Sequence, residues 1–338
     1  MIPSLVVAIA LIAMGYAIRH TFSCFLLAFV IAYLLDPFVV TLEKHKVARI
    51  YGIVILYAIL GVISVFCFAY LVPLISLRWE SLIRDLPLYL QKAKEIAEKL
   101  PERFEPAYAT EEWHWLLSTL TGNMDRVFSR FGAGVYAAVT QVVFNLLNLI
   151  LAPILVFFML YYKRAVVAGI TGWLPLRRRD TILVVGREIN ASIGGYIRGQ
   201  FVVSFIVAIL SAVALFFLAV DYPLLNGIFA GLASILPFVG VIIATLPPLF
   251  FAYVKFQSGV AMLQVIGAFA VIYFLEGYVI KPLVFKEAMN LNPLVTIIVV
   301  MAFGEIMGFW GILLAIPIAA AAKIVLDHLH RGDFSGEA

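Results

Sequence analysis

The sequence predicts an all-α polytopic membrane protein with about six full transmembrane helices and two oppositely oriented, broken helical hairpins. Three observations predict it. Of 338 residues, 64% are hydrophobic and only 13% charged, with mean hydropathy +1.06. A soluble domain is about half apolar and a quarter charged, so both a globular soluble chain and a disordered one are excluded. Uncharged runs at residues 50–77, 131–162, 199–220, 222–254 and 256–275 each hold 20 residues or more. Roughly 20 apolar residues span a bilayer core. Finally, the runs at 222–254 and 292–322 are each interrupted by Gly and Pro at corresponding places.

The elements follow in order. Residues 1–18 carry no charge, so they lack the basic start of a cleaved signal peptide, and no Ala-x-Ala-like site follows. They read as a retained first helix, turning at Arg19-His20-Thr21 into an antiparallel second helix over 22–42. With the run at 50–77 they form an N-terminal block, 1–77. Cys24 and Cys67 fall inside apolar stretches and read as small buried residues rather than a disulfide. Residues 78–133 form an external, amphipathic helical segment. Within it, 87–100 starts at Pro87, stops before Pro101, and places Leu90, Ala93, Ala97 and Leu100 on one stripe. Trp113 and Trp115 suit a membrane interface. Residues 134–198 hold a fourth transmembrane helix and a basic loop, 199–325 a transport core, and 326–338 a cytoplasmic tail.

Charge sets the expected orientation. The turn 44–49 holds three basic residues, and 163–198 holds seven against two acids. Lys281, Lys286, Lys323 and Arg331 fall on the same side, whereas the opposite short loops hold only Arg19 and Lys255. The positive-inside rule then places both termini in the cytoplasm. The segment 78–130, with eight bases and nine acids, is external. Arg177-Arg178-Arg179 reads as a topology and lipid-headgroup determinant rather than a nucleic-acid site.

The broken runs are the most specific feature. Run 222–254 would be roughly 50 Å long as one helix, or about 25 Å per leg if broken at Pro237-Phe-Val-Gly240 and Pro247-Pro248. Run 292–322 repeats this, broken at Gly304-Glu-Ile-Met-Gly308-Phe-Trp-Gly311 with Pro317 beyond. Residues 237–244 align with 308–315 at an offset of 71, with Phe, Gly and Ala matching. One span, 256–280, separates the two, so the first hairpin opens outward and the second inward. Paired discontinuous helices in an inverted repeat point to a transporter's binding site; Gly and Pro are also common in ordinary transmembrane helices.

Several motifs occur in a fixed order: Gly194-Gly-Tyr-Ile-Arg-Gly-Gln200, Ile235-Leu-Pro-Phe-Val-Gly240 with Pro247, Glu276 with Lys281-Pro-Leu283, Asn292-Pro293, Gly308-x-x-Gly311 and Ala315-Ile-Pro317. In this order they resemble the autoinducer-2 exporter family of bacterial inner-membrane transporters, the PerM-like permeases. Ala32-Tyr-Leu-Leu-Asp-Pro37 and Pro153 with Phe157-Phe158 resemble its N-terminal half. The resemblance covers residues 32 to about 325, without the segment 78–130. It implies a homo-oligomeric, pentameric secondary transporter in which a mobile part moves against a scaffold, as in an elevator. Its members carry different cargo, including autoinducer-2 and sodium exchanged for protons.

Ionisable groups at membrane depth are costly and are candidate functional sites. Glu276, near the inner end of its span, is either a coupling site or a latch to Lys281 or Arg198. Glu305, at the second break, departs from the small residue the family pattern has there. It is a proton or cation site, or a carboxylate satisfied at a helix start. Arg198 and Gln200 match the family motif; Arg198 either clamps an anion or hydroxyl group, or snorkels to headgroups. Asn226, Asn290 and Asn292 cap hairpin legs or coordinate solute. Pro237, Gly240, Gly308 and Gly311 shape the tips. Asp36, before Pro37, reads as a helix end at the interface.

An enzyme is not expected. The five histidines are scattered, with no metal-ligand spacing, nucleophile elbow, Walker loop or dinucleotide fingerprint, so no cofactor and no metal is expected. The leading expectation is an inner-membrane exporter of a small polar solute, autoinducer-2-like, bound between the hairpin tips near the midplane. The alternatives are a sodium (lithium)/proton antiporter using Glu276 or Glu305, and a non-transporting scaffold that recruits an external partner. The expected partners are the solute, a coupling proton or sodium, membrane lipid and further copies of the chain, but no nucleic acid.

Overall fold

A computed structural model describes residues 19–71, part of 73–95, and 146–175, 178–237, 239–285 and 292–333. The expected first helix 1–18, Trp113, Trp115, Asn290 and most of 78–133 lie outside the described residues. The described residues contain helices and turns but no strand. The helices are α1 (Arg19–Lys44), α2 (Arg49–Phe66), α3 (Leu146–Gly172), α4 (Arg179–Phe217) and α5 (Pro223–Ala233). They continue as α6 (Val239–Phe256), α7 (Gly259–Leu275), α8 (Lys281–Phe285) and α9 (Pro293–His330). Seven helices among the described residues are long and apolar enough to cross a membrane. The all-α polytopic architecture is therefore present.

The chain divides into two compact units. One holds residues up to Ile63, Leu146–Val202 and Lys281–Ala338; the other holds Ser64–Asn145 and Val203–Ile280. In the first, α1 packs on α3, and Ala28, Ala32, Val39, Ile53, Leu56, Val156 and Leu160 make a core shared with α2. In the second, α5 packs on α6 and α6 on α7. The outer faces carry Val62, Phe205, Phe216, Leu263 and Met301, all large and exposed, as lipid-facing helices require.

Three local expectations are corrected. Most of the described part of 163–198 is helical rather than a loop, because α3 runs to Gly172 and α4 already starts at Arg179. Asp36-Pro37 does not end its helix, which runs on to Lys44 with Pro37 inside it. Pro247 and Pro248 likewise sit inside α6. A helical proline removes one N–H and leaves the carbonyl four residues back without its donor. A helix survives where that carbonyl finds another partner.

Candidate functional site

The first hairpin begins after a left-handed turn at Tyr222 (φ 55°) with Pro223 at the first helical position, which suits proline's fixed φ. Asn226 is buried, and its amide donates to the carbonyls of Asp221 (3.0 Å) and Tyr222 (3.1 Å), so its Nδ2 braces the start of α5. The turn at the tip includes residues 234–237. Leu236 N–H donates to Ala233 O (2.9 Å), and Gly240 N–H to Leu236 O (3.0 Å). A Cβ on Gly240 would stand 2.0 Å from Ala233 O, so the outgoing leg starts against the last carbonyl of the incoming one. Pro237 is half-buried within this turn.

The second hairpin is α9, divided at Gly308 (φ 60°, ψ −136°), a backbone conformation that L side chains rarely adopt. Its first leg is capped by Asn292, whose side chain accepts from Leu294 N–H at 2.9 Å. Residues 303 and 311 would be about 12 Å apart along an unbroken helix. Instead, a Cβ on Gly311 would stand 1.8 Å from Phe303 O, and one on Gly304 would stand 3.0 Å from Ile312 Cγ1. The chain therefore reverses sharply here, as at Gly240. Both tips place a glycine of the outgoing leg on a carbonyl at the end of the incoming leg. The legs are unequal, whereas near-equal legs were expected. The 11-residue α5 is about 16 Å long and the 18-residue α6 about 27 Å; in α9 the legs are about 22 and 33 Å.

Glu305 is exposed, one turn before the break, whereas Glu276 is 4% exposed in a π-helical turn, Glu276–Ile280, between α7 and α8. Of the two carboxylates offered as coupling sites, Glu276 is the one buried within the chain. π-turns interrupt regular helix pairing and recur at functional positions.

The motif around Arg198 has a local structural account within the first unit. Pro37 cannot donate to Tyr33 O, and Arg198 Nη1 donates to that carbonyl at 3.5 Å. Gly194 leaves the room Arg198 needs, since a Cβ there would meet Nη1 at 2.8 Å. Tyr33 OH reaches Asn190 Oδ1 at 3.0 Å, joining α1 to α4. Gly199 packs on Phe285, whose ring stacks on Tyr196 at 5.7 Å. Gln200 is buried.

Two features escaped the sequence reading. Gly227 and Gly231 face Ala212, Ala208 and Ser204 of α4; added Cβ atoms would stand 2.5 Å from Ala212 Cβ and 2.6 Å from Ser204 O. This is a small-residue seam of the Gly-x-x-x-Gly kind, closed by Ser234 Oγ, which lies 3.2 Å from Ser204 Oγ. The Gly227-x-x-x-Gly231 spacing was visible in the sequence. The other is a polar clasp at the open end of the first hairpin. Lys255 Nζ donates to Asp221 Oδ1 (2.6 Å) and to Ala219 O (2.7 Å). Tyr89 OH donates to Asp221 Oδ2, and Tyr222 OH to Asp85 Oδ2 at 2.8 Å. Burial and the acceptor Asp221 push the Tyr89 phenol well above its ordinary value, so it stays protonated and acts as a donor. No sequence spacing foretells this meeting of residues 34 and 132 positions apart.

Relatives extend across this architecture. The chain is 29% identical to PerM of Escherichia coli (strain K12) over 347 residues, covering 99% of this chain and 96% of PerM. It is 25% identical to YrrI of Bacillus subtilis (strain 168), covering 93% of this chain and 88% of that protein. It is 23% identical to TqsA of Escherichia coli (strain K12), named an AI-2 transport protein, covering 91% and 86%. Residues 5–331 match the family described as AI-2E family transporter, and the chain belongs to that family of multi-pass membrane transporters, which are not enzymes.

Proposed function

We propose that this protein is a secondary transporter of the bacterial inner membrane that exports a small polar solute, with autoinducer-2 as the reference cargo. What supports this reading is the pair of broken hairpins, in each of which a glycine is seated on a carbonyl of the preceding leg. Helix breaks at membrane depth leave backbone N–H and C=O groups outside the regular helical ladder, and transporters use such groups to hold solutes. The tips, with Pro237, Gly240, Gly308 and Gly311, are the elements we assign to solute contact and to alternating access as an inverted repeat. Asn226 and Asn292 brace the legs rather than touch the solute. Both termini are assigned to the cytoplasm from the basic residues, and the working form is a homo-oligomer, pentameric by family resemblance, with a mobile part moving against a scaffold.

The name of TqsA supports autoinducer-2 as the first cargo to test. The experiment is counterflow of labelled autoinducer-2 into preloaded proteoliposomes containing the purified chain. Uptake above that of empty vesicles supports the reading, and equal uptake rejects this cargo.

A second reading, sodium (lithium)/proton antiport, is favoured by the burial of the Glu276 carboxyl in a π-turn. It is tested by the internal pH response of the same vesicles to sodium or lithium pulses.

A further inference from the structure

A charged cluster lies where α1 ends and α2 begins, against Lys163 and Arg164 of α3. Arg49 is its centre: Nε donates to Leu160 O at 2.7 Å, Nη2 meets Asp36 at 3.2 Å and Nη1 meets Glu43 at 3.2 Å, with the side chain only 12% exposed. Each carboxylate takes a second cation from α3, Lys163 at 2.6 Å from Asp36 and Arg164 at 2.9 Å from Glu43. Arg49 is thus spent inside the fold. Lys163 and Arg164 are 37% and 74% exposed, and each has one contact here among several N–H donors. Three cations face two carboxylates, and the exposed Lys44 and Lys46 of the adjoining turn increase the positive excess.

Beside the cluster opens a groove of about 390 Å³, lined by Val40, Glu43, Arg49, Lys163, Arg164, Val167 and Ala168. Its lining combines three cations and one carboxylate with the apolar Val40, Val167 and Ala168. The apolar part continues into Val166, Val167 and Ile170, all exposed on α3. A free phosphate would use only the cationic part. An amphiphile with an anionic head uses both, and the charged turn between two apolar helices is where headgroups lie.

We propose that this groove binds an anionic phospholipid, with Lys163 and Arg164 donating to the phosphate and an acyl chain lying along Val40 and Val167. Glu43 is the built-in competitor, since it occupies the Arg164 guanidinium that the phosphate would take. This role is separate from the transport reading and stands whatever the cargo is.

The test uses the full-length purified protein, with phosphatidylglycerol as the probe and phosphatidylcholine and inorganic phosphate as comparisons. Native mass spectrometry counts retained lipid, and the unfolding temperature is measured with and without each probe. Phosphatidylglycerol should be retained and should raise the unfolding temperature, while the comparisons do neither. Arg164→Gln should weaken retention about fivefold. Glu43→Gln should strengthen it, because it frees Arg164. A purely structural cluster would lose stability in both variants without this opposed change in retention. Equal retention of phosphatidylcholine, full competition by inorganic phosphate, or weakened retention in Glu43→Gln would overturn the proposal.

Discussion

Arg198 donates to the carbonyl of Tyr33, the group that Pro37 leaves without its helical donor. Tyr33 and Arg198, 165 positions apart in the chain, thereby join two motifs in one arrangement: a proline inside α1 and an arginine inside α4 that completes it. The guanidinium that the sequence offered as a solute clamp or a headgroup anchor has a partner within its own unit. This relationship gives the first prediction. Arg198→Gln should destabilise the protein by about 1 kcal/mol, the typical net value of a hydrogen bond, because 3.5 Å is too long for the full value of a charged donor. In a Pro37→Ala background, where residue 37 can supply its own N–H, the same change should have little effect. Additive effects in the double-mutant cycle would show that the two residues are independent.

The hairpin tips give the second. Gly240→Leu and Gly311→Leu should each abolish transport while the protein still inserts and oligomerises, because any side chain there meets backbone at about 2 Å. Gly308→Ala is a different test. It has open space but requires φ near 60°, so it should destabilise by about 1–3 kcal/mol through conformation alone. Wild-type flux in both leucine variants would reject the tips as moving or binding elements.

The seam between α4 and α5 gives the third. Gly231→Ala should lower the unfolding temperature, since its Cβ would meet Ser204 O at 2.6 Å. Gly267→Ala, inside α7 with nothing within 4 Å, is the control and should be neutral to stabilising. Equal effects of the two changes would show that α5 does not sit as closely on α4 as described.

The clasp gives the fourth. Asp221→Ala leaves Lys255 and Tyr89 without their shared acceptor, whereas Tyr89→Phe removes only one donor. Because Lys255 and Asp221 are 37% and 28% exposed, the pair should couple by no more than about 1 kcal/mol in a double-mutant cycle. Asp221→Ala should therefore lower the unfolding temperature more than Lys255→Met does. The reverse order would mean that Lys255 acts through Ala219 O instead.

Orientation is tested by labelling. In a background lacking Cys24 and Cys67, a cysteine at Glu98 should react with an impermeant thiol reagent from the periplasm, and one at Arg178 should not. The opposite pattern would invert the assigned topology.

The fold class was legible because uncharged runs and bilayer thickness act along one dimension, where sequence suffices. Helix breaks at Pro237–Gly240 and at Gly308 were legible for the same reason, since those residues restrict or free the backbone locally. Pro37 misled because the carbonyl it frees takes a donor from Arg198, distant in sequence from Tyr33, and Pro247 and Pro248 are likewise accommodated inside α6. The sequence left Glu276 and Glu305 each as a coupling group or a structural one. Burial is decided by packing, and the buried group is Glu276. The basic stretch before Gly199 read as a loop because charge was taken as the end of a span, yet α4 is 39 residues long and extends beyond any bilayer core. The Lys255–Asp221–Tyr89 clasp left no local trace at all.

The most direct measurement is counterflow of labelled autoinducer-2 in proteoliposomes, run in parallel for wild type, Gly240→Leu and Gly311→Leu at matched incorporation. Transient accumulation by the wild-type protein and none by either variant is the expected result. Accumulation that both leucine variants retain in full would contradict the assignment of transport to the two hairpin tips.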